Sequence, residues 1–337
     1  MRPLVRWPGG LEDKLELLVQ HIPESFENYY DPFLGSGALY FEVEARQYYV
    51  NDSCNELMDI YRAAKKGRKG LWHTLDSACS AWKKIEAHIL CVQDELIQMA
   101  FEWKIGWFKS YTDFALAVKE VMGRIWYSTL FTFTIPDPAD FAIEMRHKVI
   151  EALLVVADKG MDKDEAVASL LTAMKEAIFN FMVEVYNRPA VDGTVKSGAL
   201  MFISHYSRQL CLYYDDTEEM RPDYIGADAD KMYVSDLMEQ KDSEAFITKM
   251  ERTHFWNMPA RAFLQKNKIS YDDFLFLNPL SDDDLSASLA YLHSPRCDTH
   301  WMLLTENEEA IDELTSQRGV RGVEVPGEQK LTMIKNY

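Results

Sequence analysis

Tyr29-Tyr30-Asp31-Pro32-Phe33-Leu34-Gly35-Ser36-Gly37-Ala38 reads as the end of a strand, a tight turn and the start of a helix. A Gly-x-Gly turn at such a junction lets the backbone approach a ligand closely, and an acidic residue at the end of the following strand can hold ribose hydroxyls. Here Gly35 and Gly37 are paired with Asp52, which follows the strand Tyr48-Tyr49-Val50-Asn51. Working outward, a helix is expected over 12–21 and another over 38–44. Residues 1–62 therefore read as α/β.

Beyond this segment the pattern changes. From about 56 to 187 apolar residues recur at helical spacing, as in Trp82, Ile85, Ile89, Val92, Leu96 and Met99. Breaks between helices are expected at 67–70, at Gly106, at 135–138 and near Gly160. The tryptophans Trp72, Trp82, Trp103, Trp107 and Trp126 read as core packing more than as a binding face. Residues 188–250 read as loop-rich and acidic, with Asp215, Asp216, Glu218 and Glu219. The α/β signal then returns, with strands at 274–277, 301–304 and 331–334 and an acidic helix at 308–317. The expected organisation is an α/β domain made of 1–62 and 250–337, with its sheet completed by both chain ends. Residues 63–249 form a mainly helical insertion that serves target recognition or partner binding.

The chain has 337 residues, 47% of them hydrophobic, so it can bury a sizeable core and is not read as disordered. Its apolar runs, such as 152–157 and 201–204, are too short to span a bilayer, and the first residues lack a signal-peptide core. No membrane association and a cytoplasmic location are expected. Five cysteines, Cys54, Cys79, Cys91, Cys211 and Cys297, show no metal-binding spacing and read as reduced, mostly buried thiols. His205, His254 and His300 have no neighbours that suggest a metal or a catalytic triad. The formal charge is −18, which opposes binding to DNA phosphates unless positive charge is concentrated locally. The one dense basic run, Lys65-Lys66-Gly67-Arg68-Lys69, can touch phosphates or close a helix at Gly67.

Three groups of residues carry a family resemblance. They are Arg6-Trp7-Pro8-Gly9-Gly10, then Asp31-Pro32-Phe33-Leu34-Gly35-Ser36-Gly37, then Asn51-Asp52-Ser53-Cys54-Asn55-Glu56-Leu57. In this order and spacing they resemble the N-terminal motifs of the D12 class of adenine-N6 DNA methyltransferases. Phe274 to Leu277 with Asn278-Pro279, then Trp301 to Asn307, then Leu331 to Tyr337 look like that family's later strands. The resemblance implies a Rossmann-like methyltransferase sheet that binds S-adenosylmethionine through Trp7, Gly9, Gly10, Asp31, Phe33, Gly35 and Gly37, with Asp52 on the ribose. It also implies that a flipped adenine meets the loop after the fourth strand, Asp-Pro-Pro-Tyr in the family, where acceptors take the adenine amine and the Tyr stacks on the base.

This chain has Asn278-Pro279-Leu280-Ser281 at that loop. Asn278 can still accept through its amide oxygen, but Ser281 cannot stack, which forfeits about 1 to 3 kcal/mol. Further departures are Leu11-Glu12-Asp13 where the family has Lys, Met258 or Pro259 where it has an acid, and the three carboxylates Asp282, Asp283 and Asp284 after the loop. The degenerate catalytic set is thus Asn278, Pro279 and Ser281. Replacing Asn278→Asp with Leu280→Pro and Ser281→Tyr is expected to leave folding intact. The expected function is a D12-like homologue with lost or reduced catalysis, acting as a binding or regulatory module with a protein partner on the helical insertion. The competing readings are an active S-adenosylmethionine-dependent methyltransferase with a divergent loop, and an acidic DNA mimic. DNA as a partner stays open but is disfavoured by the charge.

Overall fold

In a computed structural model the described residues are 1–129, 138–208, 219–226, 233–325 and 331–337, without the side chains of 124–129, 138–140 and 233–234. Cys211, Asp215, Asp216, Glu218 and the expected break at 135–137 lie outside them. The strands are β1 (Asn28–Asp31), β2 (Gln47–Asn51), β3 (Thr253–Trp256), β4 (Phe274–Leu277), β5 (His300–Thr305), β6 (Arg321–Val325) and β7 (Leu331–Lys335). The first eight helices are α1 (Leu15–Gln20), α2 (Ala38–Glu42), α3 (Asn55–Lys65), α4 (Lys69–Lys104), α5 (Tyr111–Thr129), α6 (Pro138–Lys159), α7 (Lys163–Asn187) and α8 (Gly193–Tyr206). They are followed by α9 (Tyr233–Gln240), α10 (Glu244–Glu251), α11 (Ala260–Lys266), α12 (Asp282–Leu292) and α13 (Glu308–Thr315). The chain divides into two compact units, one of residues 1–66 with 240–337 and one of residues 67–239.

The first unit is built on a seven-stranded sheet of order β3-β2-β1-β4-β5-β7-β6. All neighbours from β3 to β5 are parallel, and β7 runs antiparallel between β5 and β6. A parallel strand covered on both faces must be apolar throughout, and all four residues of β4, Phe-Leu-Phe-Leu, are buried. Beside it β1 and β2 set tyrosine against tyrosine, with Tyr29 opposite Tyr48 and Tyr30 opposite Tyr49, the latter rings stacked 4.7 Å apart. Buried hydroxyls need partners, and these find them: Tyr29 donates to Asp31 at 3.0 Å, Tyr48 to the Val43 carbonyl at 3.3 Å, and Tyr40 meets Thr253 Oγ1 at 2.7 Å. The mixed α/β class, with strands from both ends of the chain around a helical middle, is the one expected from the sequence.

Several local expectations are corrected. The 12–21 segment is a short 3-10 turn followed by α1, and the 38–44 and 308–317 helices stop at Glu42 and Thr315. Among the described residues of 188–250, α8, α9 and most of α10 add helix to the expected loops. Asp192 caps α8 through the Thr194 N–H, and residues 197–206 are all buried, so burial on every side hides the amphipathic pattern that a surface helix would show. The strands β3 and β6 were not foreseen.

The second unit is helical. Asp162 and Glu165 cap α7 reciprocally, each side chain accepting the other's backbone N–H. Trp82 of α4 lies against Phe202 and Tyr206 of α8 at 6.2 and 4.9 Å. Gly198 lets α8 come close to α4, because a Cβ there would stand 2.6 Å from the Leu71 carbonyl oxygen. By length and composition α7 is apolar enough to cross a membrane, which uninterrupted runs do not reveal, and 61% of that stretch is buried within the unit. The tryptophan stripe is divided. Trp82 is core, Trp103 packs on Phe114 at 5.1 Å, Trp72 is half-buried and Trp107 is 71% exposed, while Trp126 lies outside the described side chains. The four described cysteines are unbonded, but Cys79 alone is buried and Cys91 is exposed, so the thiols are not mostly buried. His205 is buried in α8, His254 stacks on Tyr49 and His300 lies edge-on to Tyr337.

Candidate functional site

In a sheet of this order the connections leave β1 towards β2 and β4 towards β5, so the crevice at the carboxyl ends of β1 and β4 lies at a reversal of direction, where α/β sheets bind ligands. A cavity of about 260 Å³ lies there. It is lined by the turns after β1, β2 and β4, together with Trp7, Pro8 and Gly9 from the segment before α1 and Ala260 at the start of α11.

The glycine turn is shaped from both sides. Gly35 and Gly37 have φ of +51° and +72°, a region open to glycine at no steric cost. A Cβ on Gly37 would lie 2.9 Å from the Tyr61 hydroxyl, which itself donates to the carbonyls of Ser36 at 2.7 Å and Gly35 at 3.2 Å. Tyr61 of α3 is fully buried and holds the turn from beneath. On its other side, a Cβ on Gly35 would meet Trp7 Cδ1 at 3.6 Å, so the indole edge lies within van der Waals reach of the turn.

Asp52 receives the Gly35 N–H on Oδ2 at 3.0 Å and the Cys54 N–H on Oδ1 at 2.9 Å. Burial pushes its carboxyl up, the N–H bonds from Cys54 and Gly35 pull it down, and Asp284 pushes it up again. Each Asp52 oxygen keeps a further lone pair for a ligand hydroxyl. Asp31 is different. It is 2% exposed, both of its oxygens are already engaged by the Phe33 N–H and the Tyr29 hydroxyl at 3.0 Å, and burial raises it to about 7. Its work is to hold the first bend of the turn.

The loop after β4 closes the cavity edge beside Gly9. The Asn278 amide Nδ2 donates to the Gly9 carbonyl at 3.3 Å, which fixes the ring-free side chain at the cavity edge with Oδ1 as the remaining acceptor. Leu280 lies against Gly9, where a Cβ would come within 2.4 Å of Leu280 Cδ2. Ser281 is the N-cap of α12: its hydroxyl accepts the Asp284 N–H at 3.2 Å and donates to Asp284 Oδ2 at 2.8 Å. Ser281→Tyr thus carries a capping cost of about 1 kcal/mol, which the sequence reading did not include.

Of the residues expected from sequence, Trp7, Gly9, Asp31, Phe33, Gly35, Asp52 and Asn278 line the cavity, whereas Gly10, Gly37, Pro279 and Ser281 stand behind the wall or beside it. One further contributor went unread, and one of the three carboxylates noted after the loop takes a place in the wall. Asn51 binds the turn after β1 to the turn after β3, donating to the Pro32 and Met258 carbonyls and accepting the Met258 N–H, at 3.0 to 3.1 Å. Asp284 supplies a carboxylate to the wall. The signal for Asn51 was its place beside Asp52 at the carboxyl end of a central strand.

Residues 7–88 match the family of D12 class N6 adenine-specific DNA methyltransferases. Among similar proteins is a type II methyltransferase, M1.LlaDCHI, of Lactococcus lactis subsp. cremoris, 35% identical over 65 residues, or 19% of this chain and 23% of that protein. Another is a type II methyltransferase, M.CviBI, of Paramecium bursaria Chlorella virus NC1A, 33% identical over 70 residues, or 20% and 27% of the two chains. The match thus spans about a quarter of the length of either relative. The likeness falls on the segment that forms β1, the glycine turn, β2 and Asp52, and the rest of the chain lies outside it.

Proposed function

We propose that the α/β unit binds S-adenosylmethionine in the cavity, that methyl transfer to adenine is weak or lost, and that the chain works as a binding or regulatory module. The family takes its methyl group from S-adenosylmethionine, which supplies an electrophilic methyl on a sulfonium when bound. The residues present suit that group. Gly35 takes a φ of +51° that glycine adopts freely, Trp7 and Phe33 offer aromatic faces, and Asp52 offers ribose acceptors. The proposed binding set is Trp7, Gly9, Phe33, Gly35 and Asp52, with Gly10, Asp31 and Gly37 shaping the backbone around it.

The observation that carries reduced catalysis is the use made of Ser281. At the position where the family places a stacking ring, this chain has a side chain bound into the first turn of α12. An extruded base would lose its stacking partner, and the loop gives no second aromatic in its place. A protein partner is proposed for the helical unit, and DNA is disfavoured by the charge of −18.

One feature favours residual activity instead. With Nδ2 held by Gly9, the Asn278 Oδ1 is oriented as a fixed acceptor, the role an adenine amine requires. Calorimetric titration with S-adenosylmethionine, run beside a methyl-transfer assay on unmodified DNA, separates the two readings. Binding without turnover is the expected result. Turnover that is lost in Asn278→Ala would overturn it and make Asn278 a working acceptor.

A further inference from the structure

The cavity wall carries charge of one sign. Asp52 and Asp284 line it beside Asp31, whose buried carboxyl is raised to about 7 and serves the turn, and among its described lining residues there is no Lys, Arg or His. Asp284 owes its place to the loop that has lost its aromatic ring. Ser281 receives its N–H and donates to its carboxylate, so the side chain is held in one rotamer on the cavity side of α12. Asp282 and Asp283, in the same first turn, are exposed and are not part of the wall. The three wall carboxylates do not gather round one point: among the described residues no three His, Cys, Asp or Glu side chains come together as a metal ion needs. Negative charge spread along a wall suits an extended organic cation.

Resting on the binding reading above, we propose that Asp284, with Asp52, selects ligands by charge, favouring the sulfonium of S-adenosylmethionine over the neutral thioether of S-adenosylhomocysteine. The two ligands share their adenosine and amino-acid ends and differ by one methyl group and one positive charge. Contacts to the shared parts cancel in the ratio of affinities, so what remains is chiefly the field of the wall at the sulfur. A protein so built responds to the ratio of methylated to spent cofactor, a property that does not require methyl transfer by the chain itself.

The test is calorimetric titration of the full chain with each of the two ligands, for wild type, Asp284→Asn and Asp283→Asn. Asn at 284 keeps an acceptor for the Ser281 hydroxyl, and circular dichroism checks that the fold is retained. Wild type is expected to favour S-adenosylmethionine by about tenfold, Asp284→Asn to narrow that preference by about fivefold, and Asp283→Asn to leave it unchanged. Sinefungin, with an amine-bearing carbon in place of the sulfonium, is expected to bind wild type nearly as S-adenosylmethionine does. If both adenosyl ligands bind with equal affinity, or if sinefungin binds no better than S-adenosylhomocysteine, charge selection is wrong while the binding reading stands. If none of the three binds, both are wrong.

Discussion

Asp31 shows how a residue can sit at a ligand cavity and serve the fold. Its carboxyl is buried and raised from 3.8 to about 7, chiefly by burial, against the pull of the Phe33 N–H and the Tyr29 hydroxyl. Between those two values the unfolded chain has released the proton while the folded protein keeps it, so stability falls as pH rises from about 4 to about 7. Asp31→Asn removes the titration. Its melting temperature is expected to be flatter over this interval than that of wild type, whose loss amounts to a few kcal/mol. Parallel melting curves of the two proteins across the interval would refute the assignment. At this scale Gly35, Gly37 and Asp52 were legible in the sequence, because a positive φ and an acid at a strand end each leave a distinctive residue type. Ser281 and the acids after it were noted for their position, but the cap that joins Ser281 to Asp284 was not legible, because such a pair looks like any polar pair until the helix it begins is seen.

Between elements, the most consequential contact is made by Lys249 of α10. Its ammonium is buried and donates to the carbonyls of Tyr40 at 2.9 Å, Phe41 at 3.2 Å and Val43 at 2.6 Å, closing the last turn of α2. It also lies 4.8 Å from the centre of the Tyr48 ring. A five-residue helix has too few internal bonds to satisfy its own carbonyl end, so its termination depends on this neighbour. Lys249→Met keeps the bulk and removes the donors. It is expected to cost about 2 to 4 kcal/mol in denaturant unfolding, and a loss below about 0.5 kcal/mol would show that the carbonyls find other partners. The central strands were readable from sequence because each is an apolar or aromatic run, β4 most plainly. The strands β3 and β6 are the two edges of the sheet, with partly exposed residues and no continuous apolar signal, and they were missed for that reason. The helix α8 was missed for the opposite reason, being buried on all sides over 197–206.

For the molecule as a whole, two compact units imply two cooperative transitions, and a ligand that binds one stabilises that one. With S-adenosylmethionine at about a hundred times its dissociation constant, the α/β transition is expected to gain about 2.7 kcal/mol while the helical transition stays in place. Scanning calorimetry reads both. A common shift of the two peaks would mean that they unfold as one. The sheet has one more property, which concerns time. The central pairing of β1 with β4 joins Tyr29 to Phe274, partners about 245 residues apart in the chain. On the ribosome, at about 5 to 20 residues per second, β1 and β2 wait some tens of seconds for that partner, while the whole helical unit between them is made and can collapse first. A nascent chain halted before β4 holds the glycine turn and Asp52 but only one wall of the cavity. The nascent α/β unit therefore passes through an interval in which an apolar strand edge is bare, and it is there that chaperone dependence and premature aggregation are expected to concentrate.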